Sequence, residues 1–143
     1  MKLPDANLLI YAINENAPDH ARARTWLGTT LSGPEPIGVA WLALLAFIRI
    51  TTNPRVFPNP LQPMKAFEIV EGWLARPNVI VLQPTERHAG ILRGLLEPLG
   101  TAGNLTSDAH LAALAIEYGA ELCSADTDFG RLLGLRWTNP LKH

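Results

Sequence analysis

Four aspartates of this chain stand where carboxylates could act together. Asp5, like the pair Asp126 and Asp128, comes directly after a short stretch typical of a β-strand. Asp108 falls in the first turn of a candidate helix. Carboxylates that converge without cations repel one another, by roughly 4 kcal/mol per pair at ~4 Å and an effective dielectric near 20. A divalent cation relieves that repulsion, and oxygen ligands favour Mg²⁺ or Mn²⁺. If the fold brings the four together, they predict metal-assisted hydrolysis of a phosphodiester.

Each of these acids also has a structural interpretation when it is taken alone. An aspartate in the first turn of a helix, such as Asp108, usually serves the helix N-terminus. The segment 126–129 is typical of a turn followed by a cap. Asp5 has no obvious structural role, because it begins the exit loop of a strand and has apolar neighbours. Only the set of four, at predicted strand ends, favours a functional site.

The elements that must position these acids are short strands separated by helices. The clearest strand is 79–82, which is β-branched and lies between prolines. Three further strands are predicted at 2–4, 121–124 and 135–137. Helical periodicity favours five helices, at 19–31, 39–50, 63–76, 85–99 with Thr85 as N-cap, and from a cap at Thr106 or Ser107 to Tyr118. This alternation predicts an α/β fold with a mostly parallel sheet, where ligands gather at the carboxyl ends of strands.

Length and composition narrow the class of protein. The 143 residues predict one domain, and a net charge of −1 leaves no global basic field for nucleic acid. The single cysteine, Cys123, excludes an internal disulfide, and the four histidines lack zinc-type spacing. The sequence shows neither the roughly 18 apolar residues of a membrane span nor the apolar core of a signal peptide. We therefore expect a cytoplasmic protein with no membrane partner.

Three segments resemble the motifs of PIN-domain ribonucleases. Residues 5–12 resemble the first motif, an acid, a small residue and an asparagine at the end of the first strand. Residues 108–115 resemble the helix-borne acid motif, and residues 124–129 resemble the late Thr/Ser-x-Asp-x-Asp-Phe motif. Their order and spacing, and the length of the chain, are similar to those of the small VapC toxins of bacterial toxin–antitoxin pairs. The resemblance implies that residues 1–143 form one PIN domain with a three-layer α/β/α fold.

The resemblance also implies a function and partners. It implies a homodimer with a Mg²⁺-dependent site, open to Mn²⁺ as well, that cleaves structured cellular RNA such as tRNA or rRNA. It further implies a cognate antitoxin that occupies the toxin's groove and brings it to DNA as a repressor. Six residues receive roles: metal ligands Asp5 and Asp108, a fourth acid Asp126 acting directly or through water, an accessory Asp128, and carboxylate-orienting Asn7 and Ser124.

One position departs from the family's pattern. The second acid of the family, usually a glutamate on the helix after the second strand, aligns with Ala46, and no carboxylate occurs between Glu35 and Glu68. Asp128 could take part of that acid's load, or Arg49 on the same helix could bind phosphate. A catalytically weak or dead module that binds RNA or antitoxin without cleaving is therefore the main alternative.

The remaining candidates have weaker support. Arg22, Arg24, Arg49 and Arg55 are candidates for phosphate contacts, with solvated surface positions as an equal alternative. His110 is expected to be a packing or surface histidine rather than a general acid. A receiver-type phospho-acceptor, in which Asp5 would be phosphorylated, ranks last, because no lysine occurs between Lys65 and Lys142.

Overall fold

A computed structural model describes residues 1–142; His143, the last residue of the predicted domain, lies outside the described residues. Every strand pairing of the sheet is parallel. The five strands are β1 Lys2–Pro4, β2 Ile37–Val39, β3 Val79–Val81, β4 Glu121–Cys123 and β5 Trp137–Thr138. Their order in the sheet is β3-β2-β1-β4-β5. This order differs from the 2-1-3-4-5 order typical of receivers, which argues against a phospho-acceptor.

Six helices connect and cover these strands. They are α1 Ala6–Ile13, α2 His20–Ser32, α3 Trp41–Thr51, α4 Pro63–Leu74, α5 His88–Leu96 and α6 Leu105–Glu117, with 3₁₀ turns at Glu97–Leu99 and Thr127–Arg131. Among the described residues, no helix is long and apolar enough to cross a membrane.

The helices form two layers, one on each face of the sheet. Apolar residues of α1 to α4 pack in one core with Ile37 and Cys123. Residues of α5 and α6 pack in a second core with Leu3 and Leu122. Neighbouring residues of a strand point to opposite faces, which is why Leu122 and Cys123 enter different cores. The predicted three-layer α/β/α architecture is therefore confirmed.

The second strand was not predicted, and the predicted helix at 39–50 starts two residues before the observed one. Val39 belongs to β2, and α3 starts at Trp41. The strand is only three residues long and runs into an apolar helix, so no change of period marks the boundary. Gly38 reflects close packing at this point, since a Cβ there would lie 2.5 Å from the Leu82 side chain.

Other element ends also differ from the sequence-based expectations. Helix α1 was not predicted. Helix α5 begins at His88 rather than near Thr85, whose hydroxyl instead accepts a hydrogen bond from the Arg87 backbone at 3.2 Å. Helix α6 begins at Leu105, so neither Thr106 nor Ser107 is its N-cap. The last strand lies at Trp137–Thr138, shifted toward the C-terminus from 135–137.

Candidate functional site

The site lies at the carboxyl ends of β1, the central strand, and of its neighbour β4. Their register pairs Pro4 with Cys123, so the next residues, Asp5 and Ser124, leave the sheet side by side. The backbone N–H of Asp5 donates to the Cys123 carbonyl at 2.9 Å. Residues 119 positions apart in sequence therefore form the floor of one site.

Asp5 has a structural role that the sequence analysis did not foresee. It is the N-cap of α1, and its Oδ1 accepts a hydrogen bond from the Ala6 backbone at 2.7 Å. Its Oδ2 accepts a second bond from the Ser124 hydroxyl at 2.8 Å. Both bonds fix the direction of the carboxylate.

Ser124 and Asn7 form a network that links the two strand ends. Ser124 is fully buried, and its hydroxyl oxygen accepts hydrogen bonds from the Asn7 amide and the Asp126 backbone, both at 3.0 Å. The Asn7 side-chain oxygen in turn accepts from the Ala125 backbone at 3.3 Å. Asn7 and Ser124 thus hydrogen-bond to each other, to Asp5 and to the loop that carries Asp126.

Three of the aspartates come together at one point. Asp108, Asp126 and Asp128 each offer a carboxylate oxygen, and these oxygens lie within 4.8 Å of one another. Asp126 also caps the 3₁₀ turn, accepting a hydrogen bond from the Asp128 backbone at 2.9 Å. Asp5 is not a member of this trio, but it lines the same small cavity as Asp108. Asp128 was expected to be accessory, but its carboxylate lies as close to the other two as that of Asp126 does, within 4.8 Å.

The surroundings of the Asp5 and Asp108 side chains disfavour the ionised form of their carboxyl groups. Burial raises the pKa of Asp5, although hydrogen bonds from Ser124 and Ala6 oppose the shift. Burial, with the added repulsion of Asp126, Asp5 and Asp128, raises the pKa of Asp108 to about 6. Within residues 1–142 none of these aspartates forms an ion pair with a basic side chain. This arrangement favours a divalent cation, which would compensate the uncancelled charge.

Helix α3 forms the opposite wall of the cavity, which has a volume of about 180 Å³. Ala46 and Arg49, one turn apart on that helix, both line the cavity. Arg22 and Arg24 do not: they lie on α2 and line two other grooves, and Arg22 donates to the Leu141 carbonyl at 3.4 Å. Of the four candidate arginines, only Arg49 therefore lines the cavity that holds Asp5 and Asp108.

Two features near the site were missed by the sequence analysis. Ser107 lines the cavity beside Asp108, and its place just before an acid in a helical first turn was the available signal. His110 was expected to pack or to be exposed; its Nδ1 lies 2.9 Å from Nε2 of His88. Nδ1 of His88 donates to the Glu117 carboxylate at 2.5 Å, so a second polar cluster joins α5 to α6. No sequence pattern pairs these residues, because α5 and α6 meet only in the fold.

A family model and the sequences of known proteins match nearly the whole of this chain. The model of the PIN domain family matches residues 2–134. Ribonuclease VapC37 of Mycobacterium tuberculosis is 47% identical over 140 residues, covering 98% of this chain and 97% of that protein. Ribonuclease VapC33 of the same species is 47% identical over 142 residues, covering 99% of both.

Solved structures share the fold at lower identity. VapBC2 from Rickettsia felis, bound to a DNA fragment from its promoter, matches with a TM-score of 0.68 at 19% identity, covering 96% of this chain and 97% of that one. The sarcin–ricin loop cleaving toxin VapC20 of Mycobacterium tuberculosis matches with a TM-score of 0.62 at 15% identity, covering 95% and 99%.

Proposed function

The chain belongs to the PIN domain family, and on that premise we propose that it is a metal-dependent endoribonuclease, the toxin of a type II toxin–antitoxin pair. The observation that carries the proposal is the convergence of Asp108, Asp126 and Asp128 beside Asp5, with no basic partner in residues 1–142. Relatives that share 47% of their residues with this chain bear the name ribonuclease. The substrate we propose is structured cellular RNA, such as tRNA or rRNA.

The donor set fits a hard divalent cation, and we propose Mg²⁺, with Mn²⁺ as a substitute. Asp108 and Asp126 would hold it, Asp128 is close enough to share it, and Asp5 would complete the acidic wall. Oxygen ligands alone favour these ions over zinc or copper. When bound, such a cation neutralises charge on a phosphate and lowers the pKa of water.

The side chains of this site have distinct tasks in hydrolysis. Water adds to phosphorus, the bond from phosphorus to the leaving oxygen breaks, and that oxygen takes up a proton. Asp5 is held rigidly by Ala6 and Ser124, so its free lone pairs keep a fixed direction toward the cavity. Asn7 and Ser124 keep that direction constant, which lowers the cost of organising the site.

RNA contact would come from local cations, because the chain has no net basic charge. Arg49 is the best placed, since it lines the acidic cavity. Arg22 and Arg24 are proposed as outer phosphate contacts on α2, and Arg55 lies exposed in the loop after α3. Exposed arginines act on the backbone of RNA and carry little sequence information.

Exposed apolar side chains support a protein partner. Trp41 and Leu45, four residues apart on α3, are 41% and 56% exposed. Met64 and Phe67, three apart on α4, are 75% and 44% exposed. Such faces mark association surfaces in soluble domains. We propose that a cognate antitoxin and a second copy of this chain cover them, and that DNA is reached only through the antitoxin.

We also propose that residues 1–143 form one domain and that the protein acts in the cytoplasm. Strand β5 supports the first proposal, because it lies beyond the matched residues 2–134 and pairs with β4 in the same sheet. A cytoplasmic location is where a toxin would meet tRNA or ribosomes.

The test is cleavage of total bacterial RNA by the purified protein with Mg²⁺, with Mn²⁺ or with EDTA. We expect discrete fragments that require the metal and that disappear in Asp5→Asn. Expression without a partner should arrest growth, and Asp5→Asn should relieve the arrest. RNA that is bound but never cut, at any metal concentration, would replace this proposal with a binding module.

A further inference from the structure

The cavity beside the aspartates has two unlike walls. Asp5 and Asp108 contribute carboxylates on one side. On the other side α3 contributes Leu42, Ala43, Ala46 and Arg49, which are three apolar side chains and one guanidinium. Because the sequence has no acid between residues 35 and 68, this wall gains no carboxylate from the adjoining loops either. The wall on α3 can hold an anion but has no ligand for a cation.

The guanidinium of Arg49 has no polar partner within the described part of the fold. Its side chain is exposed, and within residues 1–142 its guanidinium makes neither a hydrogen bond nor an ion pair. Each carboxylate of the cavity therefore lies more than 4.0 Å from the guanidinium. Arg49 and these aspartates line one cavity of about 180 Å³, which has room for a small anionic group.

We propose that Arg49 binds the phosphate to be cleaved and that the site holds a single divalent cation, on the aspartate side only. This inference rests on the proposed ribonuclease function. The planar guanidinium can donate two parallel N–H bonds to the oxygens of one phosphate. Its fixed positive charge compensates the charge that develops on those oxygens as water adds.

The positive charge on the α3 wall is the reason why we expect one bound cation rather than two. A second divalent ion beside Ala46 would gain no ligand from α3 and would lie next to the charge of Arg49. Like charges a few ångströms apart repel strongly in a partly buried site. Arg49 therefore takes the place of a second ion, with no need for a ligand at position 46.

The first experiment measures RNA binding without cleavage. Each protein carries Asp108→Asn and is titrated in EDTA with a fluorescein-labelled single-stranded 20-nucleotide RNA of mixed sequence, at several salt concentrations. Arg49→Ala should weaken binding about 10- to 100-fold. It should also reduce the slope of log K against log salt by about 0.7. Arg49→Lys should keep the slope and recover part of the affinity.

Arg76→Ala is the matched control, because Arg76 is also exposed but lines a different groove, near Ile80. It removes the same charge from the chain, so a general loss of charge would appear in both variants. Equal affinity and equal salt slope for Arg49→Ala and Arg76→Ala would overturn the role of Arg49. So would failure of the Asp108→Asn parent to bind the RNA.

The second experiment counts bound Mn²⁺ by electron paramagnetic resonance of the free ion. The unmodified protein should bind one Mn²⁺ per chain, as should Arg49→Ala. The double variant Ala46→Glu with Arg49→Ala should bind two, since it supplies a carboxylate and removes the repelling charge. Circular dichroism confirms that each variant is folded.

Two outcomes of the count contradict the inference: two Mn²⁺ in the unmodified protein, or one in the folded double variant. Neither experiment depends on cleavage. If no RNA is ever cut, the proposed ribonuclease function fails, while the binding and counting results still decide whether Arg49 holds a phosphate opposite a single cation.

Discussion

Two acidic regions of this protein, one around Glu117 and one around the four aspartates, lie in opposite electrostatic settings. Between α5 and α6, the side chain of Glu117 is fully buried. It accepts hydrogen bonds from the Thr85 backbone at 2.8 Å, from the Thr85 hydroxyl at 2.6 Å and from His88 at 2.5 Å. At the carboxyl edge of the sheet, the aspartates face one another with no basic partner among the described residues.

The pKa values move in opposite directions for this reason. Burial alone would raise the pKa of Glu117, but the bonds from His88 and Thr85 outweigh it and lower the pKa. Burial and mutual repulsion raise the pKa of Asp108 to about 6. A buried acid whose donors come from the fold stabilises the fold. Acids that have no basic partner repel one another, which a bound cation would relieve, and such perturbed carboxylates are typical of functional sites.

The largest effect is expected from Asp108→Asn. RNA cleavage should fall about 1000-fold or more, because several kcal/mol of transition-state stabilisation are lost with the cation ligand. The melting temperature without metal should not fall, since a repelling charge is removed. Cleavage assays and thermal denaturation measure both. Asp19→Asn, at the start of α2, is the control and should retain activity. A stable site variant that still cleaves would place the reaction elsewhere.

Glu117→Ala should show the reverse pattern. We expect the free energy of unfolding to fall by about 2–4 kcal/mol, because Thr85 and His88 lose their buried acceptor. Cleavage per folded molecule should stay unchanged. Urea unfolding gives the first value and an activity assay at low temperature the second. Glu97→Ala is the control: its ion pair with Arg93 is on the surface, so it should cost under about 0.5 kcal/mol.

Ser124→Ala tests the support beneath the aspartates. Its hydroxyl donates to Asp5 and accepts from Asn7 and Asp126, so its loss should lower cleavage about 10- to 100-fold. A matched change at exposed Ser32 should have no effect on cleavage. If Ser124→Ala keeps full activity, cleavage does not require Asp5 to be held by Ser124, and the supporting role of Ser124 is contradicted.

The smallest expected effect is on the pH dependence of stability in EDTA. A raised pKa means that the folded state holds the Asp108 proton more tightly, so stability falls as pH rises from about 4 through about 6. The lowered pKa of Glu117 has the opposite sign: its contribution is lost as pH falls below the ordinary range of glutamate. Asp108→Asn should remove the first trend and Glu117→Gln the second. If neither variant changes the dependence of stability on pH, the opposite pKa shifts of Asp108 and Glu117 would be refuted.

The sequence predicts the parts of this site that are local and misses the parts that depend on distant contacts. Strand 2–4 and the acids after it and after β4 follow from short-range patterns, and their meeting follows from the rule for parallel sheets. The capping role of Asp5 was missed because α1 was not predicted. The boundary between β2 and α3 was missed because apolar residues continue across it. The Glu117 cluster joins residues 29 and 32 positions apart, which no local pattern encodes.

The central position of β1 has a consequence for the time at which the protein becomes active. Strand β1 leaves the ribosome well before β4, with which it pairs, and Asp5 meets Ser124 across 119 residues of sequence. At 5–20 residues per second, roughly 6–24 s of translation separate the two. The emerging chain carries Asp5 throughout that interval but has no partner for it. Synthesis itself therefore delays formation of the site. A partner that recognises the folded site would bind only after β4 has been made.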